Sequence, residues 1–255
     1  MLTVLKLGGS VITHKDEPET VDEESLAKTC EVIASFLAQE ESEQNSGRRH
    51  QLVLVHGGGS FGHHHASGHG VTSTEGTEDA QVLTAIHRAM GRLNDVVLDA
   101  LHDQGVPALP VRPLSMARRD KAGLSFPADQ FEAMLSEGFV PVTHGDVVVD
   151  TDVGGTVLSG DDIVVSLAES LAADRVGLCS TVPGVLDESG AVVPAIDSYE
   201  EVASILGESE STDVTGGMAH KIRQLLQLDV PASVFDIDSL ERFLQDERAG
   251  TVVRG

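Results

Sequence analysis

Two short apolar runs, TVLKL at residues 3–7 and QLVLVH at 51–56, lead directly into glycines, GGS after the first and GGG after the second. LVLV is apolar at both parities, so a strand made from it needs cover on both faces, as in a parallel sheet flanked by helices. Glycine at the end of such a strand permits positive φ angles and close approach of another backbone or a ligand. A third cluster, TGGM at 215–218, opens a helical pattern. Glycine turns at helix entries present free N–H groups and the positive end of the helix dipole, an arrangement that suits phosphate oxygens. No GxxxxGK[ST] occurs, and GGGSFG lacks the dinucleotide-binding spacing, so any phosphate grammar here is a different one.

The rest of the chain alternates strand and helix patterns, which makes it α/β with a mostly parallel sheet. Helical spacing of apolar residues predicts helices over 22–40, 78–102, 159–173 and 215–228. Strands are expected at VPALPV, RVGLCST, PASVFD and GTVVRG. FVPVTHGDVVVD (139–150) reads as a strand, a glycine turn and a hairpin partner, and RPLSMARRDKAG as a basic loop. Seven Phe, one Tyr and no Trp leave the core to aliphatic residues. No linker or repeat divides the 255 residues, and one domain is expected.

Charge narrows the partners. A formal −24, from 17 Lys and Arg against 41 Asp and Glu, repels nucleic acid and anionic lipid and resembles the surface of a halophile's protein. No apolar run is long enough to span a bilayer, and no leader pattern stands at Met1, so the chain is expected to be cytoplasmic. Cys30 and Cys179 offer neither a disulfide framework nor a zinc set. Of only five lysines, Lys6, Lys15 and Lys221 lie beside glycine turns, positions suited to a compact ammonium.

The ordered motifs VLKLGGSVIT, LVHGGGSFG, SGDD and DVTGGMAHK resemble those of the amino acid kinase superfamily across almost the whole chain. GGGSFGH, PVTHGD, LSGDDIV and DVTGGM are most similar to the isopentenyl phosphate kinases within it. The resemblance implies a three-layer αβα sandwich with a mainly parallel central sheet. Its N-terminal lobe (about 1–150) would take the acceptor and its C-terminal lobe (about 151–255) ATP. The implied reaction is phosphorylation of isopentenyl phosphate by ATP, with Mg2+ held mainly by phosphates and water, in isoprenoid biosynthesis by the mevalonate route. By family role, Lys6, Gly8, Gly9 and Ser10 would hold the transferring group, and Lys15 would assist from a mobile loop. Lys221, Gly216 and Gly217 would serve the ATP phosphates, with Ser180 nearby. Gly58 and Gly59 would donate between the substrates, Gly160 would line the site, and Asp161 would hold the lysines. A homodimer is the implied assembly.

The histidines of GGGSFGHHHASGHG admit two readings. Consecutive histidines cannot converge on one metal, so structural zinc is disfavoured and no metal ligands are assigned. His63, which follows the glycine cradle at the family's position, is by that resemblance a ligand of the acceptor phosphate, and His64, His65 and His69 are read as surface residues. His56, ending its strand, is read as structural. Asp161 and Asp162 would in any case be favourable at a helix start. The stripe Val82, Ile86 and Met90 is core by default, and its end could wall a prenyl pocket. STVPGV at 180–185 departs from the acidic pattern common in related kinases, at Thr181 and Pro183. The rivals are a fosfomycin-kinase-like enzyme for another phosphate or phosphonate acceptor, and a non-catalytic binding protein of the same fold.

Overall fold

The computed structural model describes residues 1–39, 50–206 and 217–255. Among these, strands β1 (Leu2–Leu7), β2 (Gln51–His56), β3 (Ala108–Pro110), β6 (Val140–His144), β9 (Arg175–Ser180), β10 (Ala195–Ile196), β11 (Ala232–Asp236) and β12 (Thr251–Val253) form one sheet in the order β10-β12-β11-β9-β1-β2-β6-β3. All its pairings are parallel except β11 with β12. β1 therefore lies at the centre, between β2 and β9.

Helices α1 (Gly9–Ile12), α2 (Glu23–Ala38), α3 (Gly59–Gly68), α4 (Ala80–Asp103), α5 (Asp129–Ser136), α6 (Gly160–Ser170), α7 (Ala203–Leu206), α8 (Gly217–Leu225) and α9 (Leu240–Leu244) cover this sheet. The period-2 alternation of β1 divides the core. Leu5 and Leu7 pack with α2, α4 and α9 through Ile33, Leu93 and Phe243. Leu2 and Val4 pack on the opposite face with α5, α6 and α8 through Phe131, Leu167 and Ile222. Lys6 shares the parity of Leu2 and Val4, so the same alternation aims its ammonium toward the start of α6. This is the three-layer αβα sandwich expected from the motifs.

One expectation fails. Val140–His144 and Asp146–Asp150 do not form a hairpin with each other. The Gly145 N–H instead donates to His56 O at 2.9 Å, extending the β2 pairing by one residue. The chain then leaves the main sheet, and β7 (Asp146–Asp150) pairs antiparallel with β8 (Gly154–Leu158). The expected basic loop contributes β4 (Arg118–Asp120) and β5 (Gly123–Ser125), completing a second sheet in the order β5-β4-β7-β8. The periodicity of these three-residue strands is too short to read from sequence. VPALPV likewise shortens to Ala108–Pro110, bounded by prolines that cannot donate to a ladder.

The glycines after β1 and β2 are required by contact between the two turns. A methyl group on Gly57 would fall 2.6 Å from Gly9 N, and one on Gly9 would overlap Gly59 N. Gly59 has φ +47°, and a Cβ there would strike Thr13 Oγ1 and lie 2.8 Å from Gly9 O. Gly59→Ala is therefore expected to cost about 3 kcal/mol, from left-handed strain plus overpacking. In a chain of this size that lowers the thermal midpoint by roughly 6–12 °C. A calorimetric midpoint within 2 °C of wild type would show that the turns are not locked by this contact.

Candidate active site

The carboxyl ends of β1, β2 and β9 and the starts of α3 and α6 surround a cleft of about 270 Å³. One end of it is defined by an ion triad. Asp161 Oδ1 lies 2.7 Å from Lys6 Nζ, and its Oδ2 lies 3.2 Å from Lys221 Nζ. Each partner arrives from a different element: Lys6 from the central strand, Asp161 from the first turn of α6 and Lys221 from α8. Ser159 caps α6 by accepting from Asp162 N–H at 3.0 Å, which fixes the turn that carries Asp161. Gly160 is small because a Cβ there would come 3.0 Å from Lys6 Cε.

Burial alone would raise the Asp161 pKa, but the charges and hydrogen bonds of Lys6 and Lys221 outweigh it and hold the carboxyl well below the usual carboxylate range. Lys6 shifts the other way. Burial, aided by the nearby Lys221 charge, lowers its pKa to about 8 despite Asp161. Two cations against one anion leave the triad with excess positive charge, and Lys15, an exposed residue, adds another cation on the cleft wall. Among the described residues Lys15 has no carboxylate partner.

Asp162, next in sequence, faces elsewhere. Its oxygens accept from Gln224 of α8 and lie 3.4 Å from Arg119 of β4. Arg119 also donates to Thr156 Oγ1 and to Ser73 O. Asp162 thus fastens α8 and the second sheet to α6, while Asp161 works inside the cleft.

Another part of the wall is built by α3 and α4 with Val157 of β8. His63, half-buried, lines the cleft with Gly58 and Gly62, and Ala66, Ile86, Met90 and Val157 make it apolar. Met90 Sδ fits against Gly58 and Gly62, where Cβ atoms would come within 3.3 and 2.8 Å of it. Val82 lies one helical turn away, partly buried against the cluster of Ala66, Val71, Ile86 and Val147 rather than on the cleft wall. The pocket-wall reading of the stripe therefore applies to Ile86 and Met90, and Val82 is packing.

Of the other predicted residues, Gly8, Gly9, Ser10, Gly160 and Ser180 line the cleft. Gly59 lies behind the wall, buried against Gly9 and Thr13. Gly217 opens α8 with φ +67°, outside the lining, and Gly216 falls outside the described residues. His65 is not a free surface residue, because its Nε2 lies 2.6 Å from Glu19 Oε1. His56 and His144 are register partners whose Nδ1 atoms donate to the carbonyls of Gly57 and Gly145. Burial drops the His56 pKa to about 4 and that of His144 well below the usual range, so both rings are neutral supports.

Asp146 was not anticipated. Its side chain is wholly buried at the cleft edge, where Oδ2 accepts from His87 Nδ1 at 2.8 Å and Oδ1 from Val147 N–H at 2.8 Å. The available signal was the repetition of His-Gly at the ends of β2 and β6, which places Asp146 beside the GGG turn. No group of three His, Cys, Asp or Glu side chains converges as a metal site among the described residues. The two carboxylates that line the cleft among the described residues, Asp146 and Asp161, are already engaged by protein donors.

Known proteins share the sequence pattern and the fold of this chain. The amino acid kinase family model matches residues 1–228. An isopentenyl phosphate kinase of Haloferax volcanii is 57% identical over 255 residues, spanning 100% of this chain and 99% of that one. One of Methanocaldococcus jannaschii is 34% identical over 263 aligned positions, spanning 99% of this chain and 98% of its own. A solved isopentenyl phosphate kinase structure superposes with a TM-score of 0.80 at 28% identity, covering 99% of this chain and 100% of the other. With matching sequence, fold and ordered motifs, this chain belongs to the amino acid kinase family, on the branch occupied by the isopentenyl phosphate kinases.

Proposed function

We propose that the chain transfers the γ-phosphoryl group of ATP to isopentenyl phosphate, forming isopentenyl diphosphate. The carrying observation is a cleft in which, among the described residues, cations outnumber carboxylates, both carboxylates are held by protein donors, and His63 stands beside an apolar wall. A hydroxyl acceptor needs a base to take its proton. A phosphate monoester, with a second pKa near 6, is already an ionised nucleophile at pH 7. The wall of Ala66, Ile86 and Met90 suits a prenyl tail better than the small polar tail of a fosfomycin-like acceptor. A protein that only binds would have no need of the Lys6–Asp161–Lys221 triad.

In this reading the N-terminal lobe, about 1–150, holds the acceptor and the remainder holds ATP. Phosphoryl transfer depends on alignment and on neutralising charge spread over equatorial oxygens. Lys6 and Lys15 meet the transferring group, and Lys221 meets the ATP phosphates. N–H groups of Gly9, Ser10 and Gly58, at helix starts, donate to phosphate oxygens between the two substrates. Gly59 acts through its tight packing on Gly9, which sets the distance between the donors. His63 binds the acceptor phosphate, and Asp161 keeps both lysines extended. Magnesium enters with ATP as part of the substrate, since the cleft carboxylates are engaged. The −24 charge suits a cytoplasm rich in salt, and the assembly expected is a homodimer.

ADP release with isopentenyl phosphate in high salt tests the reading. Wild type should turn over, and His63→Ala should lose about 10²-fold in kcat/KM for the acceptor through loss of one charge-assisted contact, with the KM for ATP little changed. Turnover only with another phosphorylated acceptor would move the function to the same-fold rival. A second expectation concerns pH. Lys6 must be charged to act, and a cation is lost as pH rises through its pKa. With that pKa near 8, kcat/KM should fall above about pH 8, and bound phosphates should move the fall in kcat upward. A profile flat to pH 10 would remove Lys6 from the reaction.

A further inference from the structure

The loop bearing Lys15 leaves α1 and returns to α2, closed at its base by the Thr13–Val21 bridge and by His14 N–H donating to Thr20 O at 3.0 Å. At its far side stands Glu19, a non-glycine residue with φ +50°. A left-handed glutamate persists only where its surroundings over-determine it. Here they do. Arg92 of α4 grips the carboxylate with both arms of its fork, Nη2 to Oε1 at 2.6 Å and Nε to Oε2 at 3.0 Å. His65 of α3 adds a contact at 2.6 Å. The backbone joins in, with Glu19 N–H reaching Ser60 O and Thr20 N–H reaching Ser60 Oγ at 3.3 Å.

The two helices that hold Glu19 are the ones that carry the acceptor wall: His63 and His65 share α3, and Ile86, Met90 and Arg92 share α4. We propose that Glu19 is a positioning residue, a latch that fixes the Lys15 loop to α3 and α4 so that the Lys15 ammonium stands over the acceptor side of the cleft. The inference rests on the kinase reading above for what Lys15 does once placed. It also accounts for His65, whose partner is this latch rather than solvent or metal.

A double-mutant cycle with a separate structural readout tests it. Glu19→Ala, Lys15→Ala and the double variant are assayed for kcat and for both KM values, and amide exchange over residues 14–20 is measured in the first. The latch predicts a kcat loss of about tenfold in Glu19→Ala, in keeping with the cost of a displaced catalytic group, and little change in acceptor KM. It predicts a double variant no slower than Lys15→Ala alone, faster exchange confined to the loop, and partial recovery in Glu19→Gln. An equal loss in both backgrounds, or unchanged exchange, would overturn it. If Lys15→Ala turned over like wild type, the role given to Lys15 would fall, and loop exchange would still decide whether Glu19 holds the loop.

Discussion

One buried carboxylate shared by two lysines organises this molecule. A lysine on the central strand of a parallel sheet pays for desolvation, seen in the lowered pKa of Lys6, and it persists because Asp161 lies 2.7 Å away. Asp161 is held by its position in the first turn of α6, where the helix dipole favours a negative charge. It then reaches a second lysine on α8 and so draws together a strand and two helices that are distant in sequence. Two cations against one anion leave the triad net positive in a chain whose formal net charge is −24. That local reversal of sign marks where an anionic substrate can be bound.

The second constraint is spatial. The turns after β1 and β2 lie back to back, with Gly9 against Gly57 and Gly59 at distances no side chain would permit. Their contact sets the separation between the triad on one side and α3, with His63, on the other. Beside His63, Gly62 makes room for Met90 Sδ, so the cleft that holds the charged triad also has an apolar wall. A charged end and a greasy end within one cleft fit a prenyl phosphate.

Much of this was legible in the sequence because it depends on local pattern. The β1 and β2 runs, the α4 stripe and the glycine clusters carry their periodicity or backbone requirement within a few residues, and the ordered motifs carried Lys6, Lys15, Asp161 and Lys221 to one cleft. What stayed hidden depends on tertiary pairing. The second sheet joins two local hairpins, β4 with β5 and β7 with β8, through the distant β4–β7 pairing, and PVTHGDVVVD looked like a hairpin although its halves belong to different sheets. Val82 has the same spacing as Ile86 and Met90, yet one helical turn separates packing from pocket. Asp146 and His65 owe their roles to His87 and Glu19, and nothing in their immediate neighbours announces either partner.

The most direct measurement of the central claim is steady-state kinetics of Asp161→Asn together with ATP binding by calorimetry. If Asp161 serves to place the lysines, the amide keeps the volume but frees two repelling ammoniums. kcat should then fall by about 10²-fold while ATP binds as well as before or more tightly, one negative charge having been removed beside its phosphates. Turnover at the wild-type rate would contradict the account, and so would a loss of ATP affinity equal to the loss of kcat.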